Sequence, residues 1–361
     1  MAIIFMKKEF MSDVGKAFPN EFFLALGGLS ENSSLGNGSW DSKYNRRMLV
    51  THQAVVEKHI FSLIGNTPLI RIKKLAREWG INDNVEVYGK AEWMNPGGSV
   101  KDRAALNIIE TAEARGDLTH DKILLDATSG NTGIAYAMIC AVKGYRVTLC
   151  LPESASKERK EILQAYGATL VETPASESSD GAILKAIEMY KNNPDLYYYA
   201  DQYSNDANWQ AHYHSTGIEI YEQTHGKITH FVTAIGTSGT FVGTTRRLKT
   251  YNPDIKCIAA QPDVAVHGIE GIKHLESAMV PKIYDPALSD RLLEISTETA
   301  YEYARKLARV EGLLVGISAA ANLFATLTIA KEVSDSGKNG VIVTVLCDNG
   351  MKYLSEPFWI Q

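Results

Sequence analysis

Residues 95–103 read NPGGSVKDR and place one lysine, Lys101, directly after a Pro-Gly-Gly turn. Ser99 followed three residues later by Asp102 is typical of the capped start of a helix. Lys101 would then lie at the positive end of the helix dipole, which favours its neutral amine over the ammonium. A lysine held partly neutral can form a Schiff base. Taken alone, the stretch is more simply explained as a turn followed by a helix with a solvent-exposed Lys-Asp-Arg face.

A second loop, residues 126–133 (DATSGNTG), connects a predicted strand, Ile123–Ala127, to a predicted helix, Asn131–Lys143. Its hydroxyl groups, its amide and its free backbone N–H groups at a helix start are suited to bind an anion such as a carboxylate. A Ser/Thr helix cap with a glycine for close packing is the simpler explanation of this loop by itself.

A third loop, residues 236–243 (GTSGTFVG), follows a predicted strand at residues 230–235. Glycines let backbone N–H groups point inward, and hydroxyl groups at a helix start add donors for a phosphate. The loop is neither a Walker A motif nor G-x-G-x-x-G, so a phosphate outside a nucleotide is the economical interpretation. A reactive lysine, a carboxylate cradle and a separate phosphate loop together describe pyridoxal phosphate and an amino-acid substrate.

Runs with strand and helix periodicity alternate along the chain, which predicts an α/β fold with largely parallel sheets. The predicted strands are 85–91, 123–127, 145–151, 169–173, 196–200, 230–235, 256–262, 292–296 and 341–346. The predicted helices are 100–115, 131–143, 157–166, 180–192, 206–224 with an interruption at Gly217, 240–251, 297–311 and 319–334. The long irregular connection at residues 263–289 is expected to be a functional lid or an insertion.

Composition excludes several other classes of protein. The formal net charge of −5 supplies no basic field for nucleic acid or anionic membranes. The four cysteines have no C-x-x-C spacing, so neither a zinc site nor a disulfide framework is expected, and a reducing cytoplasm is the predicted location. His212 and His214, two residues apart on a predicted helix, point to different sides, so no metal site is expected there.

Residues 1–55 differ from the rest of the chain. Residues 29–45 are rich in Ser, Asn and Gly, which predicts a flexible segment, and residues 18–26 could form a short helix. We interpret this region as an N-terminal extension rather than a domain.

From residue 61 to residue 358 the sequence resembles the cysteine synthase (O-acetylserine sulfhydrylase) family of pyridoxal-phosphate enzymes, and residues 228–232 and 347–355 are most similar to its type-B members. The motifs that carry the resemblance are IGNTPL at 64–69, NPGGSVKDR at 95–103, ATSGNTG at 127–133, GTSGT at 236–240, GLLVGIS at 312–318 and CDNGMKYLS at 347–355. The resemblance implies a two-lobed fold type II enzyme, each lobe a mainly parallel twisted sheet flanked by helices. It implies a larger cofactor-binding lobe of residues 56–94 and 207–361, a smaller mobile lobe of residues 95–206, and a homodimer.

The resemblance also implies roles for individual residues. Lys101 would form the Schiff base with pyridoxal 5'-phosphate and then act as base and acid at the substrate α-carbon. The implied cofactor-binding residues are Lys101, Asn131, Gly236, Thr237, Ser238, Gly239, Thr240, Cys347 and Asp348. The implied substrate-binding residues are Thr128, Ser129, Gly130, Thr132, Gln202, Gly268, Ile269 and Gly271. Whether Cys347 or Asp348 faces the pyridine nitrogen is left open.

The implied reaction is β-replacement on O-acetylserine or O-phosphoserine through an α-aminoacrylate, with sulfide or another sulfur donor, giving L-cysteine. A cystathionine β-synthase-like enzyme and an enzyme that adds an amine such as glutamate remain alternatives. A carrier-protein-linked sulfur donor is also possible, and Lys273-His274 could meet a phosphate leaving group, although an exposed basic pair is the commoner explanation. From a different class, the chain could be a non-catalytic binding protein with this fold, which the retention of Lys101 disfavours.

Overall fold

The fold is known from a computed structural model that describes residues 59–128 and 130–360. The predicted N-terminal extension and Ser129 lie outside these residues. No helix in the described ranges is long and apolar enough to cross a membrane.

Strands and helices alternate along the chain, as the sequence predicts. The strands are β1 (Leu69–Arg71), β2 (Val85–Ala91), β3 (Ile123–Ala127), β4 (Arg146–Pro152), β5 (Thr169–Thr173), β6 (Tyr197–Tyr199), β7 (His230–Ala234), β8 (Lys256–Pro262), β9 (Arg291–Ile295) and β10 (Gly340–Leu346). The helices are α1 (Lys74–Glu78), α2 (Lys101–Arg115), α3 (Asn131–Lys143), α4 (Lys157–Ala165), α5 (Ser178–Asn192), α6 (Asp206–His214), α7 (Thr216–Gln223), α8 (Gly239–Tyr251), α9 (Thr297–Lys306) and α10 (Ile317–Asp335).

The strands form two sheets. One has the order β1-β2-β10-β7-β8-β9 and is parallel except for the antiparallel edge pair β1-β2. The other, with the order β5-β4-β3-β6, is parallel throughout. The central strand β10 reads GVIVTVL and is buried along nearly its whole length, as expected for a strand covered on both faces. The α/β fold class predicted from the sequence is confirmed.

The predicted helix at residues 206–224 is instead two helices, α6 and α7, and the break lies at Ser215. The Ser215 backbone is non-helical, and its hydroxyl donates to the carbonyl oxygen of Ala211 at 2.6 Å. Gly217 lies inside α7, where an added Cβ would be 2.7 Å from the Cβ of Arg247 on α8. The glycine therefore permits close packing of the two helices and does not interrupt one.

The three loops singled out in the sequence follow the carboxyl ends of strands or adjoin them. The loop with Thr128 follows β3, the loop with Ser238 follows β7, and Cys347 follows β10. The backbone N–H of Val100, just before Lys101, donates to the carbonyl oxygen of Cys347 at 2.8 Å. Because β7 and β10 are neighbours in the six-stranded sheet, their carboxyl ends lie at the same edge, and the hydrogen bond from Val100 to Cys347 places the Lys101 turn there.

Candidate active site

The turn before Lys101 is closed by Asp102. The Oδ2 atom of this buried carboxyl accepts a hydrogen bond from the Gly97 backbone N–H at 2.5 Å, and burial raises its pKa to about 7. Ser99 Oγ accepts from the Lys101 backbone N–H at 3.2 Å. The Ser99 hydroxyl thus bonds to the first N–H of the helix, whereas Asp102 reaches back to Gly97. Helix α2 nevertheless begins at Lys101, as expected.

In the second loop, the hydroxyls of Thr128 and Thr132 have different partners. Thr128 Oγ1 accepts from the backbone N–H groups of Gly130 and Gly133 at 3.0 and 3.2 Å, so it holds the loop's own shape. Thr132 Oγ1 donates to Gln202 Oε1 at 2.8 Å, and Gln202 is itself fixed through Nε2 to the carbonyl of Ala127 at 2.5 Å. Thr132 and Gln202 thus form a connected polar pair at the end of β3.

The third loop has the shape of an anion cradle at the start of α8. Ser238 has a φ of 69°, and its buried Oγ has no hydrogen-bond partner among the described residues. A Cβ added to Gly236 or Gly239 would lie within 2.2 Å of the Gly271 carbonyl oxygen or 2.0 Å of Asn208 Oδ1, so only glycine fits at either position. An orphaned hydroxyl and backbone N–H groups at the start of a 13-residue helix are suited to bind a phosphate.

Two side chains of α6 support this cradle from behind. Asn208 Nδ2 donates to Thr237 Oγ1 at 2.9 Å, which leaves the threonine hydrogen free to donate. The buried His212 lies with Nδ1 2.9 Å from Thr216 Oγ1 and Nε2 3.3 Å from Thr240 Oγ1. Burial, together with the charge of Arg103, lowers the pKa of His212 to about 3, so the ring is neutral. His212 therefore hydrogen-bonds to threonine hydroxyls at both ring nitrogens.

The loops converge on two adjoining cavities. An inner cavity contains the predicted residues Lys101, Asn131, Gly236, Thr237, Ser238, Thr240, Gly271 and Cys347. An outer cavity of about 730 Å³ shares five of these and adds Thr132, Gln202, Gly268 and Ile269. Thr128, Gly130, Gly239 and Asp348 lie next to these cavities without lining them. A volume of this size is typical of a small-molecule site.

Comparison with known proteins gives the family. The family described as "Pyridoxal-phosphate dependent enzyme" matches residues 60–348. The chain is 51% identical to the cysteine synthase of Aquifex aeolicus over 83% of this chain and 91% of the relative. It is 41% identical to cysteine synthase B of Pseudomonas aeruginosa over 82% of this chain and 96% of the relative. A crystal structure of cysteine synthase from Entamoeba histolytica superimposes with a TM-score of 0.80 at 32% identity, covering 92% of this chain and 95% of that one.

The chain belongs to the family of pyridoxal-phosphate-dependent enzymes. Its cofactor is pyridoxal 5'-phosphate, its fold is that of fold type II enzymes, and it carries out β-replacement of the cysteine synthase type. The site fits the cofactor, because the unpartnered Ser238 hydroxyl at the start of α8 lies in the same cavity as Lys101.

At the end of β10, the side chains of Cys347 and Asp348 have different surroundings. Cys347 lines the inner cavity, where burial raises the pKa of its thiol to about 11. Asp348 is fully buried and accepts from Asn131 Nδ2 and the Tyr353 hydroxyl, both at 2.7 Å from Oδ2. The hydroxyl residue Ser318, which the sequence interpretation did not assign, lines the cavity beside Cys347. Ser318 is the last residue of the motif GLLVGIS, and its place in that motif is the sequence feature that could have identified it as a site residue.

The sequence interpretation also missed two ion pairs across the cavities. Arg159, 2% exposed, pairs with Glu270 and packs over the ring of Tyr353 at 4.7 Å. Lys273 is also buried, and its Nζ lies 2.8 Å from Asp180 Oδ1. The exposed basic pair expected at residues 273–274 is therefore wrong for Lys273. In the sequence, nothing distinguishes Arg159 from the other charged residues of α4.

Proposed function

We propose that this enzyme is an O-acetylserine-dependent cysteine synthase that replaces the acetoxy group with sulfide and releases L-cysteine and acetate. The observation that carries the proposal is the convergence of Lys101, the Thr132–Gln202 pair and the Ser238 loop on adjoining cavities. These supply a nucleophilic amine, donors for an amino-acid carboxylate and a phosphate cradle. All three are what pyridoxal phosphate and an amino-acid substrate need.

We assign each group one task. Bound pyridoxal phosphate withdraws electrons from the substrate α-carbon and so makes its proton acidic. Lys101 would hold the cofactor covalently. Once the substrate amine has displaced it, the free Lys101 amine would take the α-proton and later return it. Thr132 and Gln202 would bind the substrate carboxylate, and Ser318, which lines the inner cavity, would offer a neutral hydroxyl to the ring nitrogen of the cofactor. Asn131, which lines the same cavity, would donate a hydrogen bond to the ring oxygen of the cofactor.

The charge around the outer cavity supports the acetyl ester as donor over the phosphate ester. The charged residues lining that cavity, apart from its histidines, are the acids Glu177, Asp180, Glu270 and Glu356 and the bases Lys101 and Lys273. The charge of Lys273 is already matched by Asp180 at 2.8 Å. A phosphate ester brings nearly two negative charges to this surface, whereas an acetyl ester brings none. We therefore favour O-acetylserine, with O-phosphoserine as the competing donor.

The test is a matrix of donors and nucleophiles with the purified enzyme. O-acetylserine and O-phosphoserine are each run with sulfide, thiosulfate, homocysteine and glutamate, and the amino-acid products are separated and quantified. We expect L-cysteine from O-acetylserine with sulfide, and no product from Lys101→Ala. Cystathionine from homocysteine as the fastest reaction would select the cystathionine β-synthase-like alternative, and a faster reaction of O-phosphoserine would overturn the donor assignment.

We further propose that the enzyme is a cytoplasmic homodimer in which residues 95–206 move as a lobe over the substrate. The Arg159–Glu270 and Lys273–Asp180 pairs support the lobe assignment, since each joins a helix of the four-stranded sheet to the connection after β8. Such closure excludes water from the reaction. Light scattering measures the mass, and small-angle scattering with and without O-acetylserine measures the closure.

A further inference from the structure

The short turn Gly350–Tyr353 near the carboxyl end carries Lys352, a buried lysine whose side chain reaches the active site. The function proposed above gives this lysine no role. Lys352 is only 6% exposed. Its Nζ donates to the backbone oxygens of Gly97 and Gly98 at 3.1 and 3.3 Å and to Asn131 Oδ1 at 2.8 Å. An ammonium has three hydrogens, and each of them has an acceptor here.

The opposite side of the same amide is also fixed. Asn131 Nδ2 donates to Asp348 Oδ2 at 2.7 Å, and Tyr353 donates to that oxygen from the other side. An ammonium can only donate and a carboxylate can only accept, so the amide of Asn131 cannot be flipped without placing like groups together. One hydrogen of Nδ2 is left over, and Asn131 lines the inner cavity.

We propose that Lys352 is a positioning residue that fixes the Asn131 amide so that it presents an N–H, and not its carbonyl oxygen, to the ring oxygen of the cofactor. The inference rests on the proposed function, in which Asn131 faces that oxygen. Burial lowers the pKa of Lys352, and the negative charges of Asp348 and Asp102 act against that fall. Because the same ammonium holds Gly97 and Gly98, Lys352 also fixes Asn131 relative to the turn that carries Lys101.

The first test compares Lys352→Met with the wild-type holoenzyme. The readouts are the visible absorption spectrum of the bound cofactor and its dissociation constant. We expect the absorption maximum to shift, because the ring oxygen loses a fixed donor, and cofactor binding to weaken about tenfold, as for one lost hydrogen bond to a charged group. Lys352→Arg, which keeps a cationic donor, should restore part of both. Lys338→Met, at an exposed lysine, should change neither.

The second test asks whether Lys352 acts through Asn131. In an Asn131→Ala background, Lys352→Met should cause no further spectral shift and little further loss of cofactor affinity. The inference would be overturned if the two substitutions weakened cofactor binding independently, so that the fold-losses multiplied in the double variant. It would also be overturned if Lys352→Met lowered the unfolding temperature but kept the wild-type spectrum and cofactor affinity. If Lys352→Met does not fold, Lys352→Gln takes its place in the same cycle with the same expectations. A failure of the proposed function would appear differently, as a wild-type enzyme that makes no cysteine.

Discussion

Ser238 combines an uncommon backbone conformation with an unpartnered hydroxyl. Non-glycine residues at a φ of 69° are uncommon, and they persist where the surroundings impose the conformation. In this enzyme Ser238 is the residue before the first turn of α8, and it lines the inner cavity together with Gly236, Thr237 and Thr240. The uncommon backbone conformation of Ser238 therefore lies where the cofactor phosphate would bind.

His212 gives a prediction for the pH dependence of stability. Its pKa is lowered by burial to about 3, whereas an unfolded histidine titrates near its ordinary value of 6.5, so the unfolded chain binds the additional proton between these values. Stability contributed by the neutral ring is complete above pH 6.5 and is lost as the pH falls towards 3. Between pH 6.5 and pH 5 the wild-type enzyme should lose about 2 kcal/mol of unfolding free energy that His212→Gln does not lose.

Urea unfolding of both proteins at several pH values measures this difference. His120→Gln, at an exposed histidine, controls for the loss of an imidazole as such. Equal slopes for the wild type and His212→Gln over this range would contradict the assignment of a neutral buried ring.

At the scale of elements, the contact between α6 and α8 positions the phosphate loop. Gly243 on α8 lies against the backbone of α6, where an added Cβ would be 2.0 Å from the Trp209 carbonyl oxygen and 2.9 Å from the Tyr213 nitrogen. The close approach brings Asn208 and His212 within hydrogen-bonding distance of the loop threonines. The spacing of two helices therefore determines the orientation of hydroxyl groups in the site.

Gly243→Ala should push these helices apart. Alanine gains about 1 kcal/mol of helix propensity, but overpacking against backbone atoms costs more, so we expect a net loss of about 2 kcal/mol in unfolding free energy. Cofactor affinity should fall as well, because Asn208 and His212 move with α6. Thr250→Ala, at an exposed position of the same helix, is the matched control. Wild-type stability and affinity in Gly243→Ala would show that the helices can separate without effect on the site.

At the scale of the whole molecule, ion pairs join the two sheets across the outer cavity. Lys273 pairs with Asp180 of α5, and Asp180 Oδ2 also accepts from the Met279 backbone N–H at 3.2 Å. The Lys273 side chain is 7% exposed and that of Asp180 is 33% exposed, so solvent screens the pair only in part. The long connection after β8, predicted to be a lid or an insertion, is attached to the four-stranded sheet at this point.

A double-mutant cycle measures this attachment. Asp180→Asn and Lys273→Met should each lower the unfolding free energy, and the two changes together should cost less than their sum by about 1 kcal/mol. Lys185→Met, which removes an exposed pair with Glu188 on the same helix, should have an effect below that size. Additive losses at residues 180 and 273 would mean that the pair contributes nothing across the sheets.

The sequence predicted most of the fold because its signals are local. The bounds of β2, β3, β5, β8 and α3 match the prediction to the residue, since strand alternation, helix periodicity and glycine stops are all readable within about 15 residues. The same local signals drew attention to the Lys101 turn and to the loops for which we propose carboxylate and phosphate binding. The break at Ser215 was predicted at Gly217 instead, because the sequence does not distinguish a glycine required for close packing from a glycine that ends a helix.

Only the tertiary structure decided which side chains meet at the site. Lys352 reaches Asn131 over 221 residues of chain, and Arg159 of α4 meets Glu270 of the connection after β8. The direction of Asp348, away from the cavity and towards Asn131, depends on Tyr353 and on the packing at the end of β10. A local sequence pattern indicates which secondary structure forms. Long-range packing determines which charged side chains come into contact. The sequence by itself thus predicted the lysine that we propose to be reactive and the loops around it, and the fold determined the ionic contacts that hold them.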